Sequence, residues 1–81
     1  MHQENFLHAM KTNRKMRVTF YSQQENKSLT RILAPKEFSP SRYHFWDYES
    51  ENGPQSLQLI PKFVLALVVL NESAELEVQK A

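Results

Sequence analysis

Apolar positions near the start of the chain recur with a helical period. Phe6, Leu7 and Met10 fall at i, i+1 and i+4, which predicts a short helix over about residues 3–13. Gln3 and Glu4 early and Lys11 late complement the helix dipole, and Asn13 suits the left-handed conformation that ends many helices. A helix of three turns is marginal alone in water, so it is expected to dock on something. From Met16 the period drops to two. Met16, Val18 and Phe20 alternate with Arg17, Thr19 and Tyr21, the pattern of a half-buried strand.

Punctuation then divides the rest of the chain into further short strands. "SQQENKS" is polar throughout and carries the turn formers Asn26 and Ser28, so it predicts a hairpin loop. "LTRILAP" reads as a second strand closed by Pro35, which lacks a donor and restricts Ala34 before it. "KEFSPS" is expected to be a loop. "SRYHFWDYES", residues 41–50, follows as a third strand, ended by "ESENGP", where Asn52-Gly53 is a strong turn signal. "QSLQLIP" predicts a fourth strand and "KFVLALVVL" a fifth. The acidic tail from Asn71 has a weak apolar thread at Ala74, Leu76 and Val78, compatible with a strand, a helix or disorder. One helix followed by five short strands predicts a mainly β domain, a small closed or strongly bent antiparallel sheet.

Within residues 41–50, alternation puts Tyr43, Phe45 and Asp47 on one face and Arg42, His44, Trp46 and Tyr48 on the other. The second face has aromatic planes on which a nucleobase could stack and a cation for backbone phosphate. The competing reading is that Trp46 and Tyr48 cover one end of a small core. Arg31 has two readings as well, an anion contact beside the aromatic face or an edge arginine paired with Asp47 or Glu49. Arg14, Lys15 and Arg17 form the densest basic cluster, which suits either phosphate or plain solvation. The fifth strand is apolar on both faces. It therefore needs a cover on its second side, and that is either Phe6, Leu7 and Met10 of the helix or another subunit or partner.

Composition bounds these readings. A chain of 81 residues is one domain with a modest core. It has no cysteine, hence no disulfide framework, no thiolate zinc site and no catalytic thiol, which fits a reducing compartment. The first 15 residues contain no apolar signal-peptide core, and "FVLALVVL" is far shorter than the roughly 20 residues of a membrane helix. These features point to a soluble cytoplasmic protein with no membrane partner. Net charge is +1, but residues 1–46 carry eight Lys or Arg against three Glu, whereas residues 47–81 carry two Lys against six acidic residues. Such asymmetry marks either an anion-binding face or halves that fold onto each other. His2, His8 and His44 match no metal-ligand spacing, the acidic residues Asp47, Glu49 and Glu51 form a solvated rim, and no phosphate loop or nucleophile motif occurs. The expectation is a protein without enzymatic activity or cofactor.

Several stretches together carry a family resemblance. Asn13, Arg14 and Lys15 form a basic lead-in; the first strand ends in the aromatic Tyr21; a polar hairpin follows; and "TRILAP" holds an Arg, an apolar pair and a Pro. Over about residues 9–73 this order resembles the WYL domain, a small SH3-like or Sm-like β-barrel module found mostly in bacterial transcription regulators and in some proteins tied to phage defence. Tyr43, His44 and Phe45 stand where that family has Trp, Tyr and Leu, and Tyr48 at a following aromatic position. Lys62 stands nearest the family's Arg after the fourth strand, a point charge in place of a planar fork. The resemblance implies a barrel of about five strands whose face binds a nucleotide or single-stranded nucleic acid through Arg31, Arg42, Tyr43, His44, Trp46, Tyr48 and Lys62. With no helix-turn-helix segment ahead of it here, such a module would act on a partner regulator protein in trans. The alternative from a different class is an interaction module without ligand chemistry, forming a homodimer or hetero-oligomer through the strand at 63–70.

Overall fold

In a computed structural model that describes residues 2–49 and 53–74, Asn13 separates a helix from a strand with no loop between them. Helix α1 (His2–Thr12) ends where Asn13 takes a φ of 56° and its N–H donates to the Met10 carbonyl at 3.3 Å. The left-handed step turns the chain directly into β1 (Arg14–Ser22). Strands β2 (Lys27–Ser39), β3 (Arg42–Asp47), β4 (Gln55–Leu59) and β5 (Val64–Ser73) follow, with a 3-10 turn at Pro61–Phe63 before β5.

The strands form one antiparallel sheet in the order β4-β3-β2-β1-β5. The β1–β2 hairpin closes at Ser22↔Lys27, where Asn26 is left-handed at φ 57° and its side-chain oxygen accepts the Tyr21 hydroxyl. The turn between β3 and β4 uses Gly53 at φ 88°, a conformation that the missing Cβ permits. Its expected partner Asn52 lies outside the described residues, as do Glu51 and the tail positions Leu76 and Val78. The ladders leave β4 and β5 as the two edges, so they do not by themselves close the sheet.

Two bulges bend it. Pro35 faces Phe45 and Glu37 faces His44, which makes Lys36 an extra residue in β2. Strand β2 therefore runs through Pro35, where the sequence predicts a break, and takes in "KEFS" of the expected loop. A bulge accommodates a residue without a donor, and it restores Phe38 to the face of Tyr43. In β5, Ala66 faces Thr19 and Val64 faces Phe20, so Leu65 is the extra residue.

The inner face collects Met16, Val18, Phe20, Leu33, Tyr43, Phe45, Leu59, Val64 and Leu67 under Phe6 and Ala9 of α1. Phe6 is fully buried, stacked on Tyr43 (centroids 5.1 Å, 13° between planes) and edge-on to Phe45 at 5.2 Å. The helix thus docks, but through Phe6 and Ala9 on the inner face, and not with Phe6, Leu7 and Met10 across the second face of the fifth strand as expected. Leu7 and Met10 stay partly in solvent, at 39% and 37% exposure, while the small Ala9 is fully buried. One consequence concerns β5, whose inner residues Val64 and Leu67 are covered while Leu65 and Val68 remain 55% and 44% exposed. The Asn5 amide donates to the Leu67 carbonyl at 3.0 Å, tying the helix to that edge strand. No helix among the described residues is long and apolar enough to cross a membrane.

Candidate functional site

Strand β3 alternates as its sequence predicts, with Tyr43, Phe45 and Asp47 buried inward and Arg42, His44 and Trp46 turned to the outer face. Trp46 lies between Ala34 of β2 and Ser56 of β4, and His44 between Glu37 and Gln58. The bulge residue Lys36 reaches over this row. Its Nζ stands 4.5 Å from the centre of the Trp46 ring and 3.0 Å from Ser56 Oγ, so the ammonium spans the indole and is tethered to the neighbouring strand. An exposed cation–π contact of this kind is worth about 0.5–1 kcal/mol, little enough for a competing aromatic plane to displace it.

At the other end of the row, Arg42 Nη1 is 3.5 Å from Gln58 Oε1. Among the described residues the ion pairs are Lys27–Glu25, Arg31–Asp47 and Arg31–Glu49, so neither Lys36 nor Arg42 is neutralised by a carboxylate. The row therefore presents a half-buried indole, an imidazole and two uncompensated cations, with Ser56 and Gln58 as hydrogen-bonding neighbours. It can stack a flat ring and attract an anion.

The other expected site residues are placed elsewhere. Tyr43 is a core residue, packed against Phe6 and Phe38, and burial raises its hydroxyl pKa above the ordinary 10.0. Arg31 sits on the inner face, opposite Val18, and is held by Asp47 and Glu49; it does not share a face with Trp46. Of its two readings, the structural pairing is the one observed. Tyr48 donates from its hydroxyl to the Ala74 carbonyl at 3.3 Å, burial again raising its pKa, with Lys15 Nζ 5.9 Å from its ring. Lys62 lies in the turn beyond the Leu59 end of β4, over Phe63, whereas Trp46 pairs near the start of that strand.

The basic cluster is also divided. Arg14 faces Ser73 at the end of β5, Lys15 serves Tyr48, and Arg17, between Ile32 and Val68, is the exposed one of the three while the other two are half-buried. His2 and His8 are on α1, far in topology from His44, and among the described residues no three His, Cys, Asp or Glu side chains converge as a metal set. Lys36 was missed by sequence reasoning because "KEFSPS" carries no strand period; only the bulge brings it over Trp46. Comparisons of the chain with protein-family models, with curated proteins and with solved structures returned no match.

Proposed function

We propose that the protein is a non-enzymatic binding module that recognises a nucleotide or a short single-stranded nucleic acid on the outer face of β3 and acts as an accessory regulator. The observation that carries this reading is the Lys36–Trp46–Ser56 arrangement, a cation held 4.5 Å over a half-buried indole, next to His44 and the unneutralised Arg42. A base stacks on Trp46 in place of the ammonium, Lys36 turns to the phosphate, and Arg42 takes a second anionic group. Stacking of this kind contributes about 1–3 kcal/mol per base. The five-stranded sheet, bent by bulges at Lys36 and Leu65 behind an N-terminal helix, supports reading the fold as a small SH3-like or Sm-like barrel of the WYL kind.

An amide NMR titration with short single-stranded DNA and RNA and with mono- and cyclic nucleotides, at two salt concentrations, tests it. Shifts concentrated on Lys36, Arg42, His44 and Trp46 that weaken with salt are expected. Unchanged affinity in a folded Trp46→Ala variant sinks the reading. A second reading, an interaction module, has its own observation in the exposed Leu65 and Val68 on the edge strand β5. It requires a defined oligomer; a strictly monomeric protein at high concentration, with no partner retained from native lysate, counts against it.

A further inference from the structure

The seam between the edge strand β4 and the far end of β1 holds a cleft of about 300 Å³. Phe20, Leu57, Leu59 and Phe63 give it an apolar floor; the β1–β2 loop and Gln58 edge it with hydroxyl and amide groups. Arg42 is the one charged side chain along it, and no carboxylate among the described residues pairs with that guanidinium, whose partner is Gln58 at 3.5 Å. Leu57 is half-buried and Ile60 exposed, so the apolar lining here is incompletely covered by the protein itself.

From this geometry we infer that the seam is a binding site for a small aromatic anion, a one- or two-ring body bearing a carboxylate or phosphate. Three features select that class. The volume sits at the lower end of the about 300–1,000 Å³ of ligand pockets, a match for a one- or two-ring body. Ring side chains line it, Phe20, Tyr21 and Phe63, the last two in tilted contact with each other at 6.3 Å and 46°, so an aromatic ligand meets ring edges and faces along the wall. An uncompensated guanidinium at the rim of an apolar cleft is complementary to an anionic group on an otherwise apolar ligand, and its planar fork suits carboxylate and phosphate alike. The glutamine and serine groups of the rim add partners for a ring heteroatom. The site stands apart from the Trp46 row, because its floor is the inner side of β4 and the 3-10 turn; Arg42 and Gln58 are the residues they share.

The test uses indole-3-carboxylate and, as its neutral counterpart, indole-3-carboxamide, followed through the methyl resonances of Leu57, Leu59 and Ile60 in the full chain. Saturable shifts at these methyls are expected with the carboxylate, and affinity at least tenfold weaker with the amide. Arg42→Gln, at an exposed position where the fold does not depend on it, abolishes the difference between acid and amide. Trp46→Ala leaves carboxylate affinity within about twofold, which separates this site from the stacking face. Absence of saturable shifts at the three methyls, equal affinity for acid and amide in the unaltered protein, or loss of binding with Trp46→Ala but not with Arg42→Gln overturns the inference.

Discussion

Arg31 Nη2 donates to Asp47 Oδ2 at 2.6 Å across the inner face of the sheet, from one strand to the next. Asp47 faces Leu33, and Arg31 lies two residues along β2, so the pair is a diagonal one. The other carboxylate oxygen, Oδ1, accepts the Glu49 N–H at 3.0 Å. Asp47, at 8% exposure, thereby closes the inner layer where β3 ends, using one oxygen for the sheet and one for the turn.

Removing Asp47 leaves both a half-buried guanidinium and a turn amide without their partner. A hydrogen bond to a charged group contributes about 1.5–3 kcal/mol, so Asp47→Ala is expected to lower stability by about 2 kcal/mol. Arg31→Met is expected to cost somewhat less, because the Asp47 carboxylate it strands keeps the Glu49 N–H and the arginine's apolar stem is replaced in kind. Urea unfolding of both variants checks the order; an arginine loss larger than the aspartate loss would show that the turn bond contributes nothing.

Phe6 is the helix's main anchor. Its ring contacts Phe38, Tyr43 and Phe45 and is removed entirely from water. Phe6→Ala leaves a cavity at the centre of the inner layer, with an expected cost of about 3–5 kcal/mol. Domains of this size are stable by only about 5–15 kcal/mol, so a large drop in the thermal midpoint is expected. Leu7→Ala, at a position partly in water, is the control and moves the midpoint much less. Equal losses would mean that the helix does not dock through Phe6.

Much of this arrangement is legible in the residues themselves, and the limits have physical causes. The period-two run at Met16, Val18 and Phe20 gave β1, and the two faces of residues 42–47 followed from alternation. Strand β2 hid its faces, since Ile32 and Ala34 are as apolar as Leu29 and Leu33, and so the side taken by Arg31 was open. Pro35 argued for a strand end and instead sits beside a bulge, which no local pattern announces. That one extra residue decides the candidate site, because it carries Lys36 over Trp46 and turns Phe38 inward. In α1 the period placed Phe6 inward but also named Leu7 and Met10, which stay partly in water while Ala9 is buried; that choice depends on the shape of the surface that the helix meets.

Two tyrosines make stability sensitive to alkali. Burial raises the pKa of Tyr43 and Tyr48 above the ordinary 10.0, so between that value and the folded-state values the unfolded chain loses protons that the folded chain keeps. Their contribution is present in full below about pH 10 and is lost as pH rises through the folded pKa values. The urea midpoint is therefore expected to fall from about pH 10 upward. Tyr43→Phe should flatten that fall, as should Tyr48→Phe at the price of its bond to the Ala74 carbonyl. An unchanged slope in the double variant would assign the alkaline loss to other groups.

Lys36 offers a way to separate stacking from charge on the outer face of β3. In the nucleotide reading, its ammonium leaves the Trp46 ring when a base arrives and meets the phosphate, so the residue opposes the base and favours the anion. Lys36→Met is expected to change the fluorescence of Trp46, the chain's one tryptophan, while lowering stability by no more than about 1 kcal/mol. With adenosine monophosphate as the probe, the variant should bind severalfold more weakly. With adenosine, which lacks the phosphate, it should bind as well as the unaltered protein or better. Trp46→Ala should weaken both, because the stacking plane is gone. If Lys36→Met weakens adenosine and its monophosphate equally, the lysine acts through local packing and not through the phosphate, and the outer face of β3 loses its claim to be a nucleotide site.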